Sequence, residues 1–263
     1  MKIAICYIVT GRYTVFWDEF YKSCLQYFIT DAQKHFFVFT DSQEIKSSEN
    51  VTVVPLENPG WPLITVLRYR FINSIRSTLE SYDYIFFFNA NLQFVRPISA
   101  TEFLPTPEEG LLAVQHPKMR KGKSVDKIKS YERNPTSQAY VPYGVGKTYY
   151  QAAIIGGHRP AFLKLLADCE AMTNIDLANN FIPRAWDESI FNRYILDKPY
   201  KELPWLYLYP PKWRKPWWTW NSEIKIIQRN KGHHKYGGHK WLRGVSEKKI
   251  TWIDYWLDNL FGI

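Results

Sequence analysis

Three short polar clusters stand where apolar segments stop, and each holds residue types that can do chemistry. Trp186-Asp187-Glu188-Ser189 places two adjacent carboxylates where an amphipathic segment opens. Carboxylates at a helix N-terminus are stabilised by the dipole and serve as caps. Asn89-Ala90-Asn91 follows the apolar run 85–88. Its two amides, at i and i+2, face the same way if the chain stays extended, or else mark an Asn-rich turn. Thr10-Gly11-Arg12-Tyr13 sets a glycine turn beside a cation and a flat ring. His233, His234 and His239 lie among basic residues without a neighbouring carboxylate, which reads as solvent- or phosphate-facing histidine rather than a metal site.

The elements that must position these clusters are legible as an alternation. Runs 2–9, 35–40, 51–56 and 82–88 are β-branched or aromatic and bounded by turn residues, so they are expected to be buried strands. Between them, 15–33 and 63–79 carry apolar residues at helical spacing. This is the βαβ pattern of a mostly parallel sheet covered by helices, in which ligands bind beyond the carboxyl ends of strands. Further strands are expected at 110–115 and 149–155, the latter ending at Gly156-Gly157, and around 224–228. Helices are expected at 160–171, at 188–196 with Asp187 as its cap, and at 250–261, where Ile253, Trp256, Leu257 and Leu260 share a face.

Composition bounds the function. The chain has 263 residues, 46% of them apolar, and aromatics reach 17% with 11 Trp, enough for one large folded domain. Cys6, Cys24 and Cys169 are too few and scattered for a disulfide framework, which fits a reducing, cytoplasmic compartment. No run reaches the ~20 apolar residues of a membrane span. The net charge of +9 is concentrated in 212–249, with eleven Lys or Arg against two acids, and in 118–133, with seven against two. Such clusters serve as solvated faces or meet phosphates. Basic segments interleaved with aromatics also describe a single-strand nucleic-acid groove.

Several segments together resemble glycosyltransferase family 6, the retaining α-1,3-galactosyl and N-acetylgalactosaminyl transferases. They are Thr10-Gly11-Arg12-Tyr13, Gly60-Trp61-Pro62 with Arg68, Asn89-Ala90-Asn91, His116-Pro117, Tyr131-Glu132-Arg133 through Tyr140, Tyr149-Tyr150, Gly156-Gly157, and Trp186-Asp187-Glu188-Ser189 through Tyr194. The resemblance implies a single-domain GT-A fold, a Rossmann-like mixed sheet covered by helices. Its catalytic region would be 1–244, with a nucleotide-binding half to about 115 and an acceptor-binding half beyond, and a C-terminal amphipathic helix would lie within 245–263. By the same resemblance Glu188 would be the catalytic carboxylate. Tyr13 would stack on uracil beside Ile8 and Val9. Arg68, Asn89, Asn91 and Asp187 would serve the donor, Gln151, Ala152 and Ala153 would border its sugar, and His116 and Trp186 would face the acceptor.

Animal members of the family carry Asp-x-Asp and bind Mn²⁺ where this chain has Asn89-Ala90-Asn91. Neutral amides are poor ligands for a hard dication, so the chain is expected to resemble the bacterial members that work without metal or other cofactor. Lys231, Lys240 and Arg243 are the expected sources of compensating charge. The chain also reads Ala185-Trp186 where relatives have Trp-His. The expected partners are a UDP-sugar and a glycan ending in galactose, plain or fucosylated, and not nucleic acid. The C-terminal helix comes directly after Lys248 and Lys249 and is expected either to rest on an anionic membrane or to pack on the protein's own core.

Overall fold

The computed structural model describes residues 1–122, 124–127, 131–210 and 223–261, without the side chains of 120, 121 and 257–261. Lys123, Lys129, Lys212, Arg214 and Lys215 of the two basic segments lie outside the described residues. The strands are β1 (Lys2–Ile8), β2 (Gln33–Thr40), β3 (Val51–Pro55), β4 (Tyr84–Phe88), β5 (Leu92–Phe94), β6 (Leu111–Gln115), β7 (Tyr150–His158), β8 (Tyr200–Leu203) and β9 (Ile226–Gln228). The helices are α1 (Trp17–Tyr27), α2 (Leu63–Val66), α3 (Arg68–Asn73), α4 (Arg76–Leu79), α5 (Ala100–Phe103), α6 (Arg159–Ala178), α7 (Asp187–Ile195), α8 (His239–Leu242) and α9 (Trp252–Phe261).

Among the described residues, seven strands form one sheet in the order β3-β2-β1-β4-β7-β6-β8, and β5 pairs with β9 in a small ribbon. β1 to β4 are mutually parallel, β7 runs antiparallel to both β4 and β6, and β8 is parallel to β6. This is the α/β mixed sheet of a GT-A-like single domain. Because β7 is reversed, its N-terminal end lies at the sheet edge where β1 and β4 end, which brings Gln151 and Ala152 beside Ile8 and Asn89. Both faces of the sheet are covered, so its strands are continuously apolar rather than alternating. Phe86 and Phe88 of β4 pack with Phe20, Phe28 and Phe103 on one side. Ile85 and Phe87 pack with Tyr69, Phe162 and Phe191 on the other.

Four local features differ from the sequence expectation. The helix expected over 63–79 is three short pieces, α2 to α4. It resets at Leu67, where Arg68 turns to its buried partners, and again after Asn73, where the Ser74 hydroxyl bonds back to the Phe71 carbonyl (2.6 Å). The helix expected over 15–33 is confined to α1, preceded by a 3₁₀ turn at Gly11–Phe16. Asp187 is the first residue of α7 and not its cap; the cap position belongs to Trp186, which makes no side-chain capping bond.

The last difference is at Gly156-Gly157, which lie inside β7 rather than at its end. A Cβ on Gly156 would sit 2.5 Å from the Ile85 carbonyl oxygen and 2.8 Å from Phe86 Cα, and one on Gly157 would meet the Gly110 carbonyl. The glycines let a central strand pass close to its neighbours. Among the described residues no helix is long and apolar enough to cross a membrane.

Gly156→Ala should therefore overpack β7 against β4 and cost about 1 to 3 kcal/mol of stability, read as a lowered urea midpoint at unchanged slope.

Candidate active site

The site is built around a buried cation. Arg68, at the start of α3, is 7% exposed and reaches three elements at once. Its Nη1 lies 2.5 Å from Asp187 Oδ2 of α7 and donates to the Ala152 carbonyl of β7 (2.7 Å). Its guanidinium carbon sits 4.0 Å over the Phe87 ring of β4. Burial raises the Asp187 pKa to about 6, against the lowering pull of Arg68.

Trp186, before α7, takes φ 54° and ψ −127°, a left-handed conformation that L residues seldom adopt. The turn is held by Trp186 N–H to the Pro183 carbonyl (2.9 Å) and by Ala185 N–H to Ser189 Oγ (3.1 Å). The two carboxylates that follow it, as successive residues of α7, leave the helix about 100° apart. Asp187 goes to Arg68, while Glu188 accepts from the Tyr149 hydroxyl (2.8 Å) and from Ala152 N–H (3.0 Å). The backbone beneath is pinned by Asn192, whose amide donates to the carbonyls of Tyr150 and Glu188 (both 2.8 Å) and accepts from Tyr150 N–H (2.9 Å). Burial pushes the Glu188 pKa up to about 7 and Asp187 adds to the rise, against the lowering hydrogen bonds from Tyr149 and Ala152. The carboxylate is thus poised near neutrality on a wall it cannot leave.

That wall belongs to a cavity of about 490 Å³, an ordinary size for a small-molecule site. Ile8, Thr10, Gly11, Arg12 and Tyr13 close one end, and Phe87, Asn89 and Ala90 the floor. Gln151, Ala152 and Ala153 line it beside Asp187 and Glu188, and Trp61, Trp186, Lys231, Arg243 and Gly244 form further parts of the rim. Among the described residues four cations therefore meet here: Arg12, Arg68, Lys231 and Arg243. Lys231 lies 5.3 Å over the Tyr13 ring, and Arg243 5.1 Å over Trp61. Burial lowers the Lys231 pKa to about 8, and repulsion from Arg68 and Arg243 adds to it. Mutually repelling cations around an enclosed space favour an anionic occupant. Trp61 is 56% exposed and meets Trp186 edge-on at 5.5 Å.

The amide pair divides its duties. Asn89 faces the cavity, and its Nδ2 donates to Asn91 Oδ1 (3.3 Å). Asn91 is buried, and its own Nδ2 donates to the Arg229 carbonyl (2.8 Å), tying the β4 end to the chain after β9. The residues at this position do not fit a hard divalent cation. Both are neutral, and Asn91 presents an N–H to a carbonyl where a metal-binding carboxylate would repel it. Among the described residues, no group of three or more His, Cys, Asp or Glu could hold a metal.

Most residues singled out from sequence converge, and four sit elsewhere. Ile8, Tyr13, Arg68, Asn89, Gln151, Ala152, Ala153, Trp186, Asp187, Glu188, Lys231 and Arg243 line the cavity. Val9 is buried in the core, and Asn91 lies behind Asn89. Lys240 is exposed on α8, outside the lining. His116 also lies outside it, its ring 5.7 Å from Tyr149, with Nδ1 accepting from Lys118 N–H (3.0 Å). Burial lowers the His116 pKa to about 4. Sequence reasoning did not assign Trp61, Asn58 and Thr65 to the cavity, nor Tyr149 to Glu188. Trp61 and Tyr149 carried a signal, being large aromatics within the segments that resemble the family, whereas Asn58 and Thr65 carried none.

The Tyr131–Tyr140 segment has a supporting part. Glu132 accepts from Arg184 N–H (2.7 Å) just before the Trp186 turn, and Asp176 of α6 accepts from Ser137 Oγ and Gln138 N–H (both 2.7 Å).

Comparison with known proteins gives a consistent result. The model of glycosyltransferase family 6 matches residues 1–237. The O-antigen biosynthesis glycosyltransferase WbnI of Escherichia coli is 36% identical over 241 residues, covering 91% of this chain and 99% of that protein. The globoside alpha-1,3-N-acetylgalactosaminyltransferase 1 of Mus musculus is 26% identical over 82% of this chain and 63% of its own length. The histo-blood group ABO system transferase 2 of Rattus norvegicus is 27% identical over 86% and 67%. The chain thus spans about two thirds of these animal relatives.

Tyr149→Phe removes a donor to the ionised form of Glu188, so the carboxyl should titrate higher than about 7. The rise should be about one pH unit or more, read from the side-chain carboxyl ¹³C shift; an unmoved titration would mean that Tyr149 does not hold Glu188.

Proposed function

The chain belongs to glycosyltransferase family 6, and from that premise we propose that it moves galactose from UDP-galactose, with retention and in α-1,3 linkage, to a terminal galactose of a glycan. The observation that carries the reading is Glu188. Its carboxylate stands on the wall of a cation-rimmed cavity, both oxygens held, next to the backbone that would border the donor sugar. In this reading the diphosphate lies among Arg68, Lys231 and Arg243, whose repulsion it relieves. The uracil stacks on Tyr13, sharing that ring with the Lys231 ammonium.

Glu188 then acts in one of two ways. It attacks the anomeric carbon as the bond to UDP breaks, giving a covalent glycosyl-enzyme from which the acceptor hydroxyl then displaces the carboxylate, or it stabilises an oxocarbenium-like state while the acceptor attacks on the face that UDP leaves. Either needs the carboxylate ionised, so turnover should rise through about pH 7 as the proton is lost. Leaving-group charge is met by the cations rather than by a metal, in keeping with the neutral Asn89 and Asn91.

Galactose is favoured over N-acetylgalactosamine on steric grounds. Ala152 and Ala153 are buried and cannot shift. Ala152 N–H is bonded to Glu188, its carbonyl to Arg68, and the Ala153 carbonyl accepts from Asn89 N–H (2.8 Å). The Ala153 methyl, on the same strand face as Gln151, fills space that a 2-acetamido group would need, and the Gln151 amide, paired with Gln228, retains capacity for a 2-hydroxyl. The names of the globoside relatives favour the other donor, N-acetylgalactosamine, as the second reading.

UDP release, measured with galactoside acceptors and with each donor, tests the proposal. Turnover should survive a chelator, and Glu188→Gln should lower it by roughly three orders of magnitude while UDP affinity stays within a few fold. Loss of activity in EDTA that Mn²⁺ restores would overturn the metal-free reading. The double change Ala152→Gly with Ala153→Gly should shift preference toward UDP-N-acetylgalactosamine by roughly tenfold or more. Equal use of both donors by the unaltered enzyme would place donor selection elsewhere.

A further inference from the structure

The chain leaves the cavity rim through a held segment and enters a helix whose described residues Trp252, Ile253 and Trp256 face water. Arg243 and Gly244 line the cavity. Arg12 secures the chain on either side of them, donating to the carbonyls of Trp241 (3.1 Å) and Ser246 (2.6 Å) and pairing with Glu247. Ile250 N–H donates to the Gly237 carbonyl (3.1 Å), and its side chain fills the space beside Gly238, which has φ 85°. At the start of α9, Thr251 N–H and Oγ1 bond Asp254 Oδ2 (2.9 and 2.8 Å). One side of α9 rests on the protein, with the Tyr255 ring 4.4 Å from His233 and 5.6 Å from His234.

The other side is uncovered. Trp252 and Ile253 are each 60% exposed and Trp256 51%, and the two indoles meet at 6.2 Å. At about 100° per residue these three side chains fall within one arc of roughly 100°, with Tyr255 flanking it toward the protein and Asp254 on the far side. Lys248 and Lys249, both exposed, stand two residues before the helix, the Lys249 ammonium 4.5 Å over the Trp241 ring. Two indoles and an isoleucine bordered by lysines match the boundary of an anionic bilayer. There indole rings settle at headgroup depth and ammonium groups meet phosphate. Self-association through the same face is disfavoured by charge, because each chain carries +9 overall and each face brings its own lysines.

We propose that α9 docks the protein on an anionic lipid bilayer, with Trp252, Ile253 and Trp256 in the interfacial layer and Lys248 and Lys249 on lipid phosphates. The Arg12 clasp would then hold the cavity rim close to the membrane surface. Docking of this kind does not depend on which sugar is transferred.

The experiment is flotation of the full chain with vesicles of equal parts phosphatidylglycerol and phosphatidylcholine, against vesicles of phosphatidylcholine alone. Binding to the anionic vesicles should exceed binding to the neutral ones by roughly tenfold or more and fall with added salt. Trp252→Ser with Trp256→Ser should remove most of it, as should Lys248→Glu with Lys249→Glu, while both variants keep UDP release on a soluble acceptor within twofold. Failure to float with anionic vesicles at low salt would overturn the proposal, and so would binding that the Trp252 and Trp256 changes leave intact. A dimer in sedimentation that those changes dissolve, without lipid binding, would assign the face to a second copy instead.

Discussion

The pairing of Arg68 with Asp187 is the contact on which the rest of the site depends. It joins α3 to α7, and through the Ala152 carbonyl and the Phe87 ring it joins both to the centre of the sheet. Taking an arginine and an aspartate out of water is costly, and removing one partner of such a pair typically costs about 3 to 5 kcal/mol because the other is left uncompensated. The pair forms where the helix expected before β4 is interrupted, Arg68 being the first residue after the break at Leu67. Glu188, the residue after Asp187 in α7, points about 100° further round the helix and meets Tyr149 and Ala152 instead.

Around that pair the polypeptide backbone does much of the positioning. Ala152 alone receives Arg68 on its carbonyl and gives its N–H to Glu188. Asn192 clamps the facing backbones of β7 and α7 with three hydrogen bonds. Backbone groups are good anchors because they carry no rotamer freedom to lose. The reversed direction of β7 is what makes them available, for only an antiparallel strand enters the sheet at the edge where its parallel neighbours end.

Electrostatics set the character of the cavity. The buried Asp187 and half-buried Glu188 carboxyls titrate upward and the half-buried Lys231 ammonium downward, all three because charge is poorly solvated there. An anionic occupant would satisfy the cations that face one another, while Glu188 stays near neutrality. The amides of Asn89 and Asn91 add polarity without charge, and Asn91 spends its donor on the Arg229 carbonyl, so the motif couples the cavity floor to the basic C-terminal segment.

The sequence by itself determined the alternation of strands and helices and the ends of the first four strands to within a few residues. It also marked the three polar clusters, because apolar runs ending in Gly, Asn or Asp report burial and chain reversal locally. Residues 10–13, 89–91 and 186–189 also carried the family resemblance. Tertiary structure decided the rest. Gly156 and Gly157 read as the end of a strand, but the closeness of β4 and β6 makes them its interior. Short strands β5 and β8 left no periodic signal, since three or four residues are too few to show one, and the helical spacing over 63–79 did not reveal where that helix breaks. Asp187 read as a cap and became the partner of an arginine 119 positions earlier. Tyr149 read as one of many aromatics and became the donor to Glu188. Which side chains meet across such separations is fixed by packing, and packing is a property of the folded chain that no local pattern contains.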